Sequence, residues 1–164
     1  MKKKLMSLLL ALVMLLSCTA CGGDDGTAAD VTLTDGGTAS YKIVYPAGAT
    51  AEILSTVSYL QTALQQLTGA EFKAEEDMAT SPSADSKEIL VGTTDRDASK
   101  DAISGMSGSG EYTVKVSGSK IVLAGMLDMG VQEAAEKLVA DLTAAGEPYT
   151  LSGSYAVKGT SDSP

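Results

Sequence analysis

The most distinctive reactive groups in this sequence are two thiols, Cys18 and Cys21, three positions apart and the only cysteines present. A Cys-x-x-Cys pair supplies two ligands where zinc takes four, and no histidine exists to complete the set. The missing histidine also removes Ser-His-Asp and Cys-His nucleophiles. Carboxylates remain. Glycoside hydrolysis needs two of them across a sugar, one with a raised pKa. Glu75, Glu76 and Asp77 form one acidic run, and Glu133 and Glu136 share a helical segment. Both groups read as solvated surface, the second as charge around Lys137. Asp95, Asp97 and Asp101 offer the oxygen ligands that calcium takes. An EF-hand counted from Asp95 would put glycine and glutamate where Lys100 and Met106 stand, so helix capping over 97–103 is the expected role. Gly92-Thr93-Thr94 follows an apolar run, where an anion cradle would sit. It lacks P-loop and dinucleotide spacing and reads as a structural turn. Met126 and Met129, beside a glycine, have the chemistry of an adaptable binding patch, with core packing the expectation. No catalytic, cofactor-binding or metal-ligating residue is assigned on this basis, and no cofactor is expected.

The thiols are better explained by what precedes them. Met-Lys-Lys-Lys opens the chain, an uncharged run from Leu5 to Leu16 follows, and Ser17, Thr19 and Ala20 are small. A basic start, a short apolar stretch and a small-residue exit make a secretory signal. The run is shorter than the ~20 residues a helix needs to cross a bilayer. With a small residue before a cysteine, the stretch resembles a bacterial lipoprotein signal, in which that cysteine becomes the lipidated N-terminus. Ala20-Cys21 is the preferred register, because Gly22 and Gly23 lead directly into a flexible segment. Ser17-Cys18 is the alternative, with Leu15 three residues upstream. Cys18 also occupies the place before Cys21 where such signals usually carry leucine. The resemblance implies a protein exported and held by lipid on the outer face of the bacterial cell membrane, with at least two acyl chains for stable anchoring.

Charge narrows the partners. The chain carries a formal net charge of −9. Removing residues 1–20 takes three lysines and no acids, leaving 9 basic and 21 acidic side chains. Nucleic acid and anionic lipid both select clustered Lys and Arg, so neither is expected as a direct partner. With one Phe, six Tyr and no Trp, the core must be aliphatic, and few aromatic platforms are on offer for sugars.

The elements that must hold these groups follow from periodicity. Residues 21–30 read as a tether, 31–158 as one domain and 159–164 as a disordered tail. Strands are expected at 31–34, at 41–45, around Phe72 at 71–75, at 89–91 and somewhere within 149–157. Tyr112–Val116 and Lys120–Ala124 flank Ser117-Gly118-Ser119 as a hairpin. Ile53, Val57, Leu60, Leu64 and Leu67 recur at steps of four and three, predicting a helix over 51–68 with Thr50 as N-cap and Gly69 as stop. A second helix is expected near 130–144, buried through Val131, Ala134 or Ala135, Leu138 and Leu142, and a short one after Asp97. The fold class is α+β: a two-layer α/β sandwich, with two main helices on a mixed sheet.

The order strand, long helix ending Leu-Thr-Gly-Ala, strand, loop, Glu-Ile-Leu-Val-Gly-Thr-Thr-Asp-Arg, then Gly-Glu-Tyr-Thr-Val-Lys-Val-Ser-Gly-Ser-Lys-Ile-Val-Leu-Ala-Gly, a glycine and a helix spans residues 41–143. It resembles the small non-catalytic N-terminal α/β domain of glycoside hydrolases such as hexosaminidases and α-glucuronidases. In those enzymes the catalytic carboxylates lie in the barrel that follows, so the resemblance brings no catalytic residue to this chain. Two departures stand out: Asp128 precedes Met129-Gly130 where a basic residue is common, and the last helix carries Gln132-Glu133-Ala134-Ala135-Glu136-Lys137 where aromatics are common. A helix face that would dock on a barrel is therefore expected to face solvent. The expected function is a non-catalytic lipoprotein domain binding an envelope protein or glycan. The alternatives are an accessory subunit of a separately encoded carbohydrate-degrading enzyme or, ranked last, a small hydrolase.

Overall fold

The computed structural model describes residues 29–161; Cys18 and Cys21, with most of the expected tether, lie outside the described residues. Short pairings open and close the chain: β1 (Val31–Thr32) pairs with β9 (Thr150–Leu151), and β2 (Thr34–Asp35) with β3 (Thr38–Ala39) across the Gly36-Gly37 turn. The main sheet has six strands in the order β10-β7-β8-β6-β4-β5. They are β4 (Lys42–Tyr45), β5 (Ala74–Glu76), β6 (Glu88–Val91), β7 (Glu111–Ser117), β8 (Lys120–Gly125) and β10 (Ala156–Thr160). β5, β4, β6 and β8 run parallel, and β7 is antiparallel to both its neighbours, so the sheet is mixed.

Helix α1 (Ala51–Thr68) forms as its stripe predicts. Thr50 is extended and its Oγ1 accepts from the Ile53 N–H at 3.1 Å. Gly69 takes φ 76 and its N–H closes the last turn on Gln65. Helix α3 (Asp128–Ala145) buries Val131, Ala134, Ala135, Leu138 and Leu142. Both helices cover one sheet face, over Ile43, Ile89, Val91, Val114, Val116, Ile121 and Leu123. Each large aliphatic side chain buried there contributes about 1.5–3 kcal/mol. The short α2 (Asp97–Ser104) lies on the opposite face, where Ala102 packs on Val44, Leu90, Val122 and Ala124. Side chains alternate along each strand, so β6 serves both layers.

Four boundaries differ from the sequence expectation. The strand expected at 31–34 is interrupted at Leu33, so that Val31–Thr32 pairs with β9 and Thr34–Asp35 with β3. Phe72 is buried, but strand pairing begins at Ala74, and the Phe72 carbonyl accepts from Gln61 Nε2 instead. The segment 149–157 is split, because Tyr149 turns at φ 53 and the Tyr155 N–H folds back on Ser152. The tail expected from Gly159 is partly ordered. Gly159 and Thr160 complete β10, and the buried Ser161 donates its N–H to the Gly110 carbonyl at 2.7 Å.

Candidate functional site

Lys42, Glu88 and Lys120 each open a parallel strand, and the register sets them side by side: Lys42 faces Glu88, and Glu88 faces Lys120. They share the face that α2 covers only in part. Above them sits Arg96, the residue before α2, whose side chain and that of Glu88 are each only 1% exposed. The guanidinium grips the carboxylate twice: Nε donates to Glu88 Oε2 and Nη2 to Glu88 Oε1, each at 3.1 Å. The remaining donors reach the Asp77 carbonyl at 2.9 Å, Asp95 Oδ1 and Thr80 Oγ1. Lys120 Nζ approaches Glu88 Oε2 at 3.1 Å and donates to the Ser83 and Ser86 carbonyls. Lys42 pairs with Glu75, and Thr80 donates to the same carboxylate. The cluster thereby staples the loop between β5 and β6 onto the sheet.

The electrostatics follow from these contacts. Burial pushes the Glu88 carboxyl up, but hydrogen bonds from Arg96 and Lys120 outweigh it and hold the group below the usual range. Glu75 is lowered chiefly by its bond to Lys42. Bidentate pairing with Glu88 raises Arg96 further. Among the described residues, no buried side-chain polar atom lacks a partner. A groove of about 540 Å³ runs beside this cluster, lined by Arg96, Lys120, Ser83, Ala98 and Ser117 among others. The cations at its wall are already turned onto Glu88 and loop carbonyls. Glu88 and Glu75 are shifted downward, the opposite of the raised pKa that a general acid for glycosides needs.

The other candidates separate in space and role. Asp77, expected to be solvated, is buried instead. Its two oxygens accept the backbone N–H groups of Ala47 and Asp95, at 3.0 and 2.8 Å, which ties three segments together. Glu76 stays exposed. Glu136 accepts from Gln132, and Lys137 pairs with Asp141 rather than with either glutamate. Asp95 faces Arg96 and Asp97 faces Lys100, while the cap position of α2 is Arg96, which makes no side-chain cap bond. Among the described residues, no three Asp, Glu, His or Cys side chains gather as a metal-binding group. Gly92-Thr93-Thr94 forms a turn with Gly92 at φ 77, closed by Ser99, whose Oγ donates to the Gly92 carbonyl at 2.6 Å. Met126 and Met129, expected in the core, are exposed, because α3 starts at Asp128 and its inward face begins only at Gly130 and Val131.

The Arg96–Glu88–Lys120 cluster is not among the groups that sequence reasoning singles out. A signal for it exists: Lys42-Ile-Val, Glu88-Ile-Leu and Lys120-Ile-Val repeat one pattern of a charge entering a buried strand. A charge at one offset in several parallel strands is brought into a row by the register.

No family model and no curated protein matches this chain. Among solved structures, it is similar to CpGH84D, with a TM-score of 0.57 and 19% identity over 82% of this chain and 22% of that one. It also aligns with BtGH115A, a GH115 4-O-methyl-alpha-glucuronidase with specificity for decorated arabinogalactans, at a TM-score of 0.49 and 18% identity over 79% of this chain and 18% of that one. A third is a GH138 enzyme targeting pectin rhamnogalacturonan II, with a TM-score of 0.47 and 14% identity over 72% of this chain and 15% of that one. The chain spans about one fifth of the length of CpGH84D. At this identity the likeness to CpGH84D shows a shared fold.

Proposed function

We propose that this chain is a non-catalytic accessory domain, held at the bacterial cell surface by lipid on Cys21, that binds a protein or glycan partner of the envelope. One observation carries the non-catalytic part. The buried ionisable groups of the sheet face are spent on one another, with Glu88 and Glu75 pushed below the usual carboxylate range and the cations turned inward. The fold likeness to one portion of CpGH84D supports an accessory role, since the matched region is 22% of that chain. The likeness to CpGH84D, a GH84 chain, directs the search toward carbohydrate-processing partners. It also favours the second reading, an accessory subunit of a carbohydrate-degrading enzyme encoded separately.

The test is a purified preparation challenged with a panel of 4-nitrophenyl glycosides and glucuronides, followed by binding to envelope polysaccharides. The expected outcome is no turnover above buffer, with retention of a partner from envelope extracts. Turnover that disappears on substitution of one acidic residue would overturn the non-catalytic reading. Enhancement of a co-purifying glycosidase would select the accessory-subunit form.

A further inference from the structure

Of the six large apolar side chains exposed among the described residues, four belong to segments at one edge of the sheet, while Tyr59 lies farther along α1 and Met78 follows β5. β4, β6 and β8 all end at one edge of the sheet, at Tyr45, Val91 and Gly125, and α1 and α3 both begin there. Around that edge stand Leu54, Met126, Leu127 and Met129, exposed by 44%, 42%, 45% and 37%. Of these, Met126 lines a groove of about 190 Å³, together with Pro46, Ile53, Gly92, Gly125 and Val131 among others. Gly92 contributes no side chain to it, and at Gly125 the backbone of α3 packs directly on the strand end. Large apolar side chains clustered round a cleft mark an interaction site more often than chance exposure does. Methionines adapt to an incoming surface.

We infer that this edge docks a protein partner that inserts an apolar side chain flanked by lysines or arginines. The inference deepens the binding-module reading and rests on it. Charge selects this occupant. No Lys or Arg occurs in residues 45–55, 92–95 or 125–133, which supply the edge, while Glu52, Asp128 and Glu133 stand in or next to the first turns of the two helices. A second copy would bring the same acidic rim, and an anionic lipid surface would be repelled in the same way. A sugar would want a flat ring to lie on. Tyr45, the ring at this edge, packs against the core, and the exposed groups are thioethers and leucines. Position agrees with charge. Ala29 and Asp30 lie beside Lys87, Gly118 and Ser119, at the opposite ends of the same strands. A chain held through its N-terminus would leave the apolar edge uncovered.

The experiment pans a random dodecapeptide phage library against the full chain and maps the enriched peptide, made synthetically, by hydrogen exchange. The expected consensus is an apolar residue between basic ones, with protection at residues 46–54 and 125–132. Replacing Met126→Ser together with Leu127→Ser should weaken that peptide by roughly tenfold or more. Both residues are exposed, so the melting temperature should hold. Acidic winners, no enrichment, protection elsewhere, or indifference to the double variant would overturn the proposal. So would a dimer in sedimentation, or retention on anionic vesicles or a glycan array, that the same variant abolishes. Hydrolysis of a glycoside by the chain would instead sink the non-catalytic reading, and a peptide mapped to another face would leave that reading standing.

Discussion

Glu88 is the residue on which the sheet's polar face turns. It compensates Arg96 and Lys120 at once, with its own side chain and that of Arg96 almost fully buried. Removing one partner of a buried pair leaves an uncompensated charge, and here two cations would be stranded. Glu88→Ala should therefore cost about 3–5 kcal/mol, read as a fall in the urea midpoint at pH 7. Acid should act on the same bonds. Glu88, Glu75 and Asp141 all have folded-state pKa values below their ordinary ones, Asp141 because bonds from Lys137 and Tyr155 outweigh its burial. A depressed carboxylate stabilises the fold above its unfolded pKa and loses that contribution as pH falls through the folded one. Stability should be flat near neutrality and decline from about pH 5 downward. The Glu88→Gln variant should start lower and decline less steeply, which a urea series from pH 7 to pH 3 would read. An equally steep acid limb in that variant would remove Glu88 from the explanation.

At the scale of elements, the seating of α3 depends on two glycines with different tolerances. A Cβ on Gly125 would lie 2.6 Å from the Gly130 carbonyl carbon and 2.6 Å from the Val131 nitrogen. Both are backbone atoms and cannot rotate away, so Gly125→Ala must push the first turn of α3 off the end of β8. A loss of about 1–3 kcal/mol is expected, the cost of overpacking, seen as a lowered melting temperature. Gly130 is the contrast. A Cβ there would meet Gly125 Cα, the Glu111 carbonyl and Tyr112 Cβ at 3.4 Å, an ordinary contact. Alanine in a helix gains about 1 kcal/mol over glycine, so Gly130→Ala should be neutral or mildly stabilising by the same thermal measurement. Thr50 joins the two helix starts: it caps α1, and its hydroxyl donates to Asp128 Oδ2 at 2.7 Å.

At the scale of the molecule, the described chain enters beside Lys87 and Gly118 and leaves along β10, which ends beside Glu111 at the opposite edge. Among the described residues no helix is long and apolar enough to cross a membrane. Cys21→Ala should move the protein from the membrane fraction to the soluble or unprocessed fraction, while Cys18→Ala should leave it membrane-bound. Immunoblotting of fractionated cells distinguishes them. The reverse pattern would assign the lipid to Cys18.

What was legible in the sequence was local. The stripe Ile53, Val57, Leu60, Leu64, the Thr50 cap and the Gly69 stop together specify α1 to its last residue, because a helix is held by bonds four residues apart. The β7–β8 hairpin was legible for the same reason, since Gly118 at φ 59 permits its turn. The mixed α+β class followed from the order of such pieces. Tertiary structure alone decided the rest. Lys42, Glu88 and Lys120 are far apart in the chain, and only the parallel register places them in a row for Arg96 to close. Asp77 reads as solvated within an acidic run, and only the approach of Ala47 and Asp95 gave its oxygens backbone donors. Met126 and Met129 read as core by composition. Their exposure was settled by where α3 lands on β8, a contact between backbones at Gly125 and Gly130 that no side-chain pattern encodes.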